Sequence, residues 1–457
     1  MVLEWMGQSD AGEEAWKWAG CKARRSRLLS YNQRYGNREG MSHEKGIDSD
    51  LAPLVVVEGF LGDPGLGCWH HLIECQARRR LVISVRLGAM SSVHDRCWGR
   101  VDYGEQHAVE MGHGRFGLEY AGAYPQWSAE HPVHFLGHSL GGLTVWHLQQ
   151  MLQRNEFGFQ TNADWVRSLG TFSAPLRGTT TTYIMGCCEG KPSTVRSWTV
   201  GGVLYCLAYL LAWLNWTILH MAMFDPSLAH WDLDKHSILE LAYNIYTGLR
   251  FDGGRDNAAY DLSVEVAEAL NKDAVTFPTT YYRSYAVSMT SPCMSLFHVD
   301  EPTKRPPLVV LVASLMGGFT FQSLPYPSEN WRDNDGVVPV ISQCHPGDCR
   351  RGFCQHRTFN QTRESIFHRP VPGEWAVTHI NDASHFEVIR CPLPDLPPAY
   401  RTIMEDYWQW VDQIDKLSKT IRAKPQLTLQ RPFSQPYSPF VYISSPIPFP
   451  SSPIAIR

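Results

Sequence analysis

Gly137-His138-Ser139-Leu140-Gly141-Gly142 constrains this chain more than any other stretch. It follows a short apolar run, Val133 to Leu136, that reads as a strand. It precedes Leu143-Thr144-Val145-Trp146-His147-Leu148, which reads as the buried face of a helix over Leu140 to Arg154. In a strand, Gly-x-Ser-x-Gly, helix sequence the serine sits on a sharp turn with no room for neighbouring Cβ atoms, and its Oγ stands clear of the sheet. The helix start behind Ser139 brings backbone N–H groups and a positive dipole end to the same place. Such a serine is a candidate nucleophile; the alternative is a glycine-rich turn that holds a serine by chance.

Other short apolar runs supply the partners of that strand. Leu54-Val55-Val56-Val57 closes in Glu58-Gly59-Phe60-Leu61-Gly62, as suits a central parallel strand that empties into a loop at its carboxyl end. Arg79 to Val85 is a second candidate, and Trp165 to Phe172, leading into Ser173-Ala174-Pro175, another. Their alternation with helix-compatible stretches predicts an α/β fold with a mostly parallel sheet and crossover helices. Residues 1–50 are polar and without a sustained period, which predicts a weakly ordered extension. The folded domain is expected over 51–420, followed by a Pro/Ser-rich tail over 421–457.

With 457 residues, 44% of them hydrophobic, the chain is long enough for one large core or two domains. A net charge of −4 without a long basic run argues against nucleic acid as a partner. The 12 cysteines show no small-scaffold spacing. Cys344, Cys349, Cys354 and His356 depart from the C-x2-C pattern of zinc modules and read as a surface insertion. Glu4, Asp10, Glu13 and Glu14 leave no apolar signal segment near the start, so the default expectation is a cytoplasmic or membrane-associated protein. On that expectation the sequons at Asn215 and Asn360 are chance matches.

Val200 to Phe224 contains no Asp, Glu, Lys or Arg and is long enough to cross a bilayer, which takes about 20 apolar residues. A single crossing there would separate Ser139 from any acid and histidine further along, and Leu308 to Phe321 is short for a return span. The expectation is therefore a buried helix pair or an apolar lid resting on lipid.

A serine on such a turn draws its acid and base from further along, in the order Ser, Asp or Glu, His. His385, just before the apolar run Phe386-Glu387-Val388-Ile389, is the chosen base. Asp335, in Asp333-Asn334-Asp335-Gly336-Val337, is the chosen acid, on the expectation that it lies just after a strand; Asp333 and Asp382 compete with it. Asn-Asp-Gly is also a good turn sequence in its own right.

Several further landmarks follow one another: Val101-Asp102-Tyr103-Gly104, His113-Gly114-Arg115-Phe116-Gly117, the turn at Ser139 and Ala174-Pro175-Leu176-Arg177-Gly178-Thr179-Thr180. Tyr260-Asp261-Leu262-Ser263, Asn334-Asp335-Gly336 and His385-Phe386-Glu387-Val388-Ile389 continue the series. With these the chain resembles the thermoalkalophilic, zinc-containing bacterial lipases and still more the plant α/β-hydrolases related to them, over roughly residues 53–390. The resemblance implies an α/β-hydrolase fold, a mostly parallel central sheet with helices on both faces and a helical lid or cap insertion over about 178–258. It implies that Ser139 is the nucleophile, His385 the general base and acid, Asp335 its orienting carboxylate, and the backbone N–H groups of Phe60 and Leu140 the oxyanion hole. The activity implied is hydrolysis of carboxylic esters, lipid esters foremost, with no cofactor required for catalysis. The apolar segment 200–224 is then expected to shield an acyl groove and to meet a membrane or lipid-droplet surface.

The family's structural zinc site carries over in part. Asp95, His107 and His113 match three ligands, whereas Ala229 stands at the fourth, with Asp232 or Asp234 able to substitute only after a shift; otherwise the two histidines are hydrogen-bonded structural residues. Calcium is not carried over: Glu387 matches one ligand, but Cys391 and Pro392 stand where a downstream acid belongs. Glu58 replaces the usual histidine of the oxyanion loop, and a carboxylate there opposes a developing negative charge unless it is turned away or paired. Two other readings follow: a membrane-associated lipid-binding protein that kept the hydrolase fold and lost its chemistry, or a lipid acyltransferase using the same three side chains.

Overall fold

Seven strands form the central sheet: β1 Leu54–Val57, β2 Val82–Val85, β3 Val133–His138, β4 Val166–Phe172, β5 Tyr281–Val287, β6 Gln355–Phe359 and β7 Glu374–Ile380. Their order is β6-β7-β5-β4-β3-β1-β2, and every pairing is parallel. This computed structural model describes residues 51–60, 79–85, 87, 91–98, 124–157, 159–196, 198–203, 257–294, 296–300, 302–347, 355–359, 368–389 and 398–423. The polar extension, the apolar segment beyond Val203, both sequons, His107, His113, Ala229, Asp232, Asp234, Cys349 and Cys354 lie outside them. So does the tail beyond Ala423.

Parallel strands need crossovers, and among the described residues helices cover the sheet on both faces. The labelled helices are α1 Val93–Trp98, α2 Leu140–Arg154, α3 Ala258–Asp261, α4 Pro307–Gly317 and α5 Pro398–Ala423. Because side chains alternate along a strand, one face of the sheet carries Val55, Val57, Phe135, Leu169, Tyr282, Trp375 and Val377, packed in one core with Leu143, Trp146 and Leu148 of α2. Tyr282 stacks on Trp375 with ring centroids 4.8 Å apart, and Trp146 meets Trp375 edge-on at 5.5 Å.

The opposite face binds α5 through buried ionic pairs. Arg283 donates to Asp406 at 2.6 Å, and the Tyr285 hydroxyl donates to the same carboxylate at 2.7 Å. Arg80 lies 3.0 Å from Asp415, which also meets His134 at 3.1 Å. Breaking one partner of such a pair leaves a buried charge uncompensated, so these contacts specify where the helix docks. The chain forms two compact units, Met1–Asp415 and Lys416–Arg457; of the second, only the end of α5 is described.

Among the described residues no helix is long and apolar enough to cross a membrane. The apolar stretch from Leu308 is mostly α4, which buries Val312, Ala313 and Met316. The expected strand at Arg79 to Val85 narrows to β2. Asp335 does not follow a strand directly: the short hairpin Ser291–Cys293/Leu296–His298 and α4 intervene after β5, and only an isolated bridge, Asn334 to Pro339, adjoins it.

Candidate active site

The serine turn forms where β3 gives way to α2. Ser139 has φ 53° and ψ −130°, a left-handed backbone uncommon for a side chain larger than glycine. Its N–H donates to Phe172 O at 2.9 Å, and its carbonyl accepts from Gly142 N at 3.0 Å. A Cβ at position 137 would lie 2.4 Å from Gly142 N, and one at position 141 would lie 2.2 Å from Val57 O. Both neighbours are backbone, so only glycine lets the turn close and α2 settle onto the end of β1.

Because β1 and β3 run side by side, with Val57 opposite Gly137, the loop after β1 arrives beside the serine. A Cβ built on Gly59 would come within 2.9 Å of Ser139 Cβ. Phe60 follows in that loop with its ring partly exposed, and Leu140 heads α2, fully buried. First-turn N–H groups of a helix have no acceptor within it.

His385 lies in the loop between β7 and the 3-10 turn Glu387–Ile389. Its Nδ1 is 2.8 Å from Asp335 Oδ2, and its backbone N–H donates to Asp335 O at 2.8 Å. The other carboxylate oxygen, Oδ1, accepts from Val337 N at 2.9 Å and Val338 N at 2.7 Å. Asp335 is 0% and His385 2% exposed, so the pair is shielded from bulk water. The competing acids are engaged elsewhere. Asp333 accepts from the hydroxyls of Ser288 and Thr290, and Asp382 pairs with Arg305 at 2.7 Å.

His138, the residue before Ser139, joins the two halves of the site. Its ring centroid lies 4.7 Å from that of His385, and its Nε2 is 3.0 Å from His385 O. Burial, then the neighbouring His385, hold its pKa well below the ordinary histidine value, so His138 is neutral and donates from Nε2 to that carbonyl. Arg305 brackets the same loop from outside: it donates to Asp382 O at 2.8 Å and to Glu387 Oε2 at 3.3 Å. Glu387 also accepts from Ser384 N at 2.6 Å, so this carboxylate is committed to a guanidinium and a loop amide.

Glu58 is buried, at 5% exposure, beside Arg96 of α1. Burial pulls the Arg96 pKa down to about 10, with Cys97 and Glu58 acting in the opposite direction, so it stays cationic at neutral pH. The Glu58 carboxylate, in the loop after β1, thus has a buried guanidinium as an electrostatic partner. Nothing in the sequence marks Arg96, His138 or Arg305, because each acts through partners far along the chain.

Of the three matched zinc positions only Asp95 is among the described residues. Its N–H donates to Ser92 Oγ at 3.2 Å, and its carboxylate lies 3.6 Å from His94 Nδ1. Among the described residues no group of three or more His, Cys, Asp or Glu side chains is gathered to hold a metal. Ala229 offers no donor, so the matched positions do not supply a full four-ligand set. Cys344 donates to Val340 O at 3.2 Å, and His345 stacks on His356 at 4.3 Å.

A parallel sheet that delivers a strained serine to its carboxyl edge, with a histidine–aspartate pair on a later loop, is the α/β-hydrolase arrangement. Lipase 1 of Staphylococcus aureus is 26% identical over 347 residues, covering 71% of this chain and 46% of that protein. The lipase of Staphylococcus hyicus is 28% identical over 289 residues, covering 57% of this chain and 41% of the relative. The chain thus spans less than half the length of these relatives. A crystal structure of Staphylococcus hyicus lipase shares the fold, with a TM-score of 0.62 at 23% identity over 83% of this chain and 99% of that one. The Lipase-like, C-terminal domain family matches residues 93–189 and 218–419, and the chain belongs to that family.

Proposed function

We propose that the protein hydrolyses carboxylic esters, lipid esters foremost, through Ser139, His385 and Asp335. The observation that carries the reading is the buried His385–Asp335 pair, 2.8 Å apart, on a loop tied to the residue preceding a strained Ser139. Ser139 Oγ attacks the ester carbonyl and passes its proton to His385 Nε2, while Asp335 holds the Nδ1–H tautomer and stabilises the imidazolium. The tetrahedral oxyanion is received by the N–H groups of Phe60 and Leu140. As the intermediate collapses, the alcohol leaves with the proton from His385. Water, deprotonated by the same imidazole, then releases the acid and restores the serine.

Lipid esters are favoured as substrates because the relatives are lipases and because the composition of the run 200–224, without a charged residue, suits long acyl chains. The three side chains and two backbone donors complete the chemistry without a metal. Hydrolysis is therefore expected to persist after dialysis against EDTA, with metal analysis of the same sample reporting any zinc.

A fluorophosphonate probe tests the reading: the protein should label, and Ser139→Ala should not. An unlabelled parent would favour a lipid-binding protein that lost its chemistry. A nitrophenyl ester panel then tests the substrate class, and preference for acetate over long acyl chains would count against lipid esters. Added alcohol with ester product formed in place of acid would indicate acyl transfer.

A further inference from the structure

The two segments that carry the oxyanion donors come from distant parts of the chain: Glu58-Gly59-Phe60 after β1, and Ser139-Leu140 at the head of α2. An oxyanion hole works only if the spacing of its donors is set before charge develops. One side chain reaches both segments. Arg96 Nη2 donates to Glu58 O at 2.5 Å, and Arg96 Nε donates to Thr144 Oγ1 at 3.0 Å. Thr144 Oγ1 in turn donates to Leu140 O at 2.8 Å. The guanidinium is planar, so the angle between its two links is rigid in a way that a lysine could not reproduce.

The anchor is itself held. Arg96 is 2% exposed, so water does not compete for these links. α1 is pinned at its start by Val93 N donating to Asp261 Oδ2 at 2.6 Å, and again by Cys97 Sγ donating to Thr144 O at 3.3 Å. Tethering Glu58 O orients the peptide that joins it to Gly59, one peptide before the Phe60 N–H. The same guanidinium also acts electrostatically on the buried Glu58 carboxylate of that loop.

We infer that Arg96 is a positioning residue for ester hydrolysis: it clamps the Glu58 carbonyl to the head of α2, sets the separation of the Phe60 and Leu140 N–H groups, and offsets the charge of Glu58. This rests on the assignment of Ser139 as nucleophile. Arg96 touches no substrate; it acts through the two backbone segments.

The test uses the full chain carrying Arg96→Met, Arg96→Lys, Thr144→Val, or Arg96→Met combined with Glu58→Gln. Nitrophenyl butyrate gives kcat and KM, a fluorophosphonate gives the rate of serine modification, and the labelled fraction at saturation counts competent sites. Arg96→Met is expected to lower kcat per labelled site by about 10²-fold, the order seen when one oxyanion donor is lost. KM should stay within about threefold, since the lost interaction serves only the transition state. Fluorophosphonate modification should slow in parallel, because its adduct uses the same hole. Arg96→Lys keeps the charge and should recover part of kcat. Thr144→Val cuts only the link to α2 and should cost about tenfold. Adding Glu58→Gln to Arg96→Met should recover part of the loss. Unchanged kcat per labelled site in both Arg96→Met and Thr144→Val, or a loss confined to KM, would overturn the clamp. If Arg96→Met does not fold, Arg96→Lys and Thr144→Val decide it by the same readouts. A parent that does not label would defeat the hydrolase reading itself, whereas a labelled parent with unaffected variants would defeat the clamp alone.

Discussion

His385 and Asp335 hold each other twice: the imidazole Nδ1 lies 2.8 Å from the carboxylate, and the His385 amide donates to the Asp335 carbonyl at the same distance. Side chain and backbone are thus registered together: the main-chain bond fixes the His385 loop against Asp335, and the carboxylate orients the ring. The second carboxylate oxygen is occupied by the Val337 and Val338 amides.

That arrangement determines what Asp335→Asn would do. The two amides require an acceptor, so the Asn carbonyl takes the Oδ1 position and its NH2 faces His385 Nδ1. The imidazole is forced into the wrong tautomer, with Nε2 carrying the proton it should accept. Steady-state kinetics should show kcat lower by about 10⁴-fold with the fold preserved.

Arg305→Met removes the bracket around the His385 loop while leaving its bonds to Asp335 in place. A small displacement of the base can cost up to about 10²-fold in rate, so kcat should fall with little change in KM. Arg305→Lys should restore part of the rate by keeping one charged contact. Kinetics of the two variants, compared at equal labelled serine, check this.

Gly141→Ala would place a methyl group 2.2 Å from Val57 O and 2.7 Å from Glu58 O. Both are backbone atoms, so α2 must shift, at a cost of about 1–3 kcal/mol or more. Gly318→Ala is the matched control, because its nearest neighbour would be 3.8 Å away. Urea unfolding should show a clear loss of stability for the first variant and little for the second.

His147 on α2 is 6% exposed, and its Nε2 has no hydrogen-bond partner among the described residues. Burial, then the charge of Arg154, lower its pKa from 6.5 to about 3. The folded state therefore refuses a proton that the unfolded chain accepts below 6.5, and stability present above that pH is lost as pH falls toward about 3. The loss amounts to roughly 2 kcal/mol by pH 5. Thermal melts at pH 7 and pH 5 should show a smaller drop for His147→Phe than for the parent.

Local pattern was enough to read the turn at Ser139, α2 and the strands at Leu54–Val57, Val133–His138 and Val166–Phe172, because each is written in a single run of neighbouring residues. It was not enough for β5 and β7, since polar positions at Arg283, Ser284 and Thr378 point into buried networks rather than to solvent, nor for β6, whose exposed His356, Arg357 and Thr358 leave no apolar run. Asp335 neighbours His385, but it stands on a loop beyond α4 and not directly after a strand as expected, because its position is set by long-range contacts.

The sequence by itself determined the parallel-sheet fold and the turn at Ser139, since these depend on local periodicity and glycine placement. Only the tertiary structure shows that Asp335, and not Asp333 or Asp382, pairs with His385, because contacts made across long stretches of chain engage the other two elsewhere. It also decided the meaning of Glu58. A carboxylate in that loop reads as an obstacle until Arg96, from a separate helix, is found buried beside it.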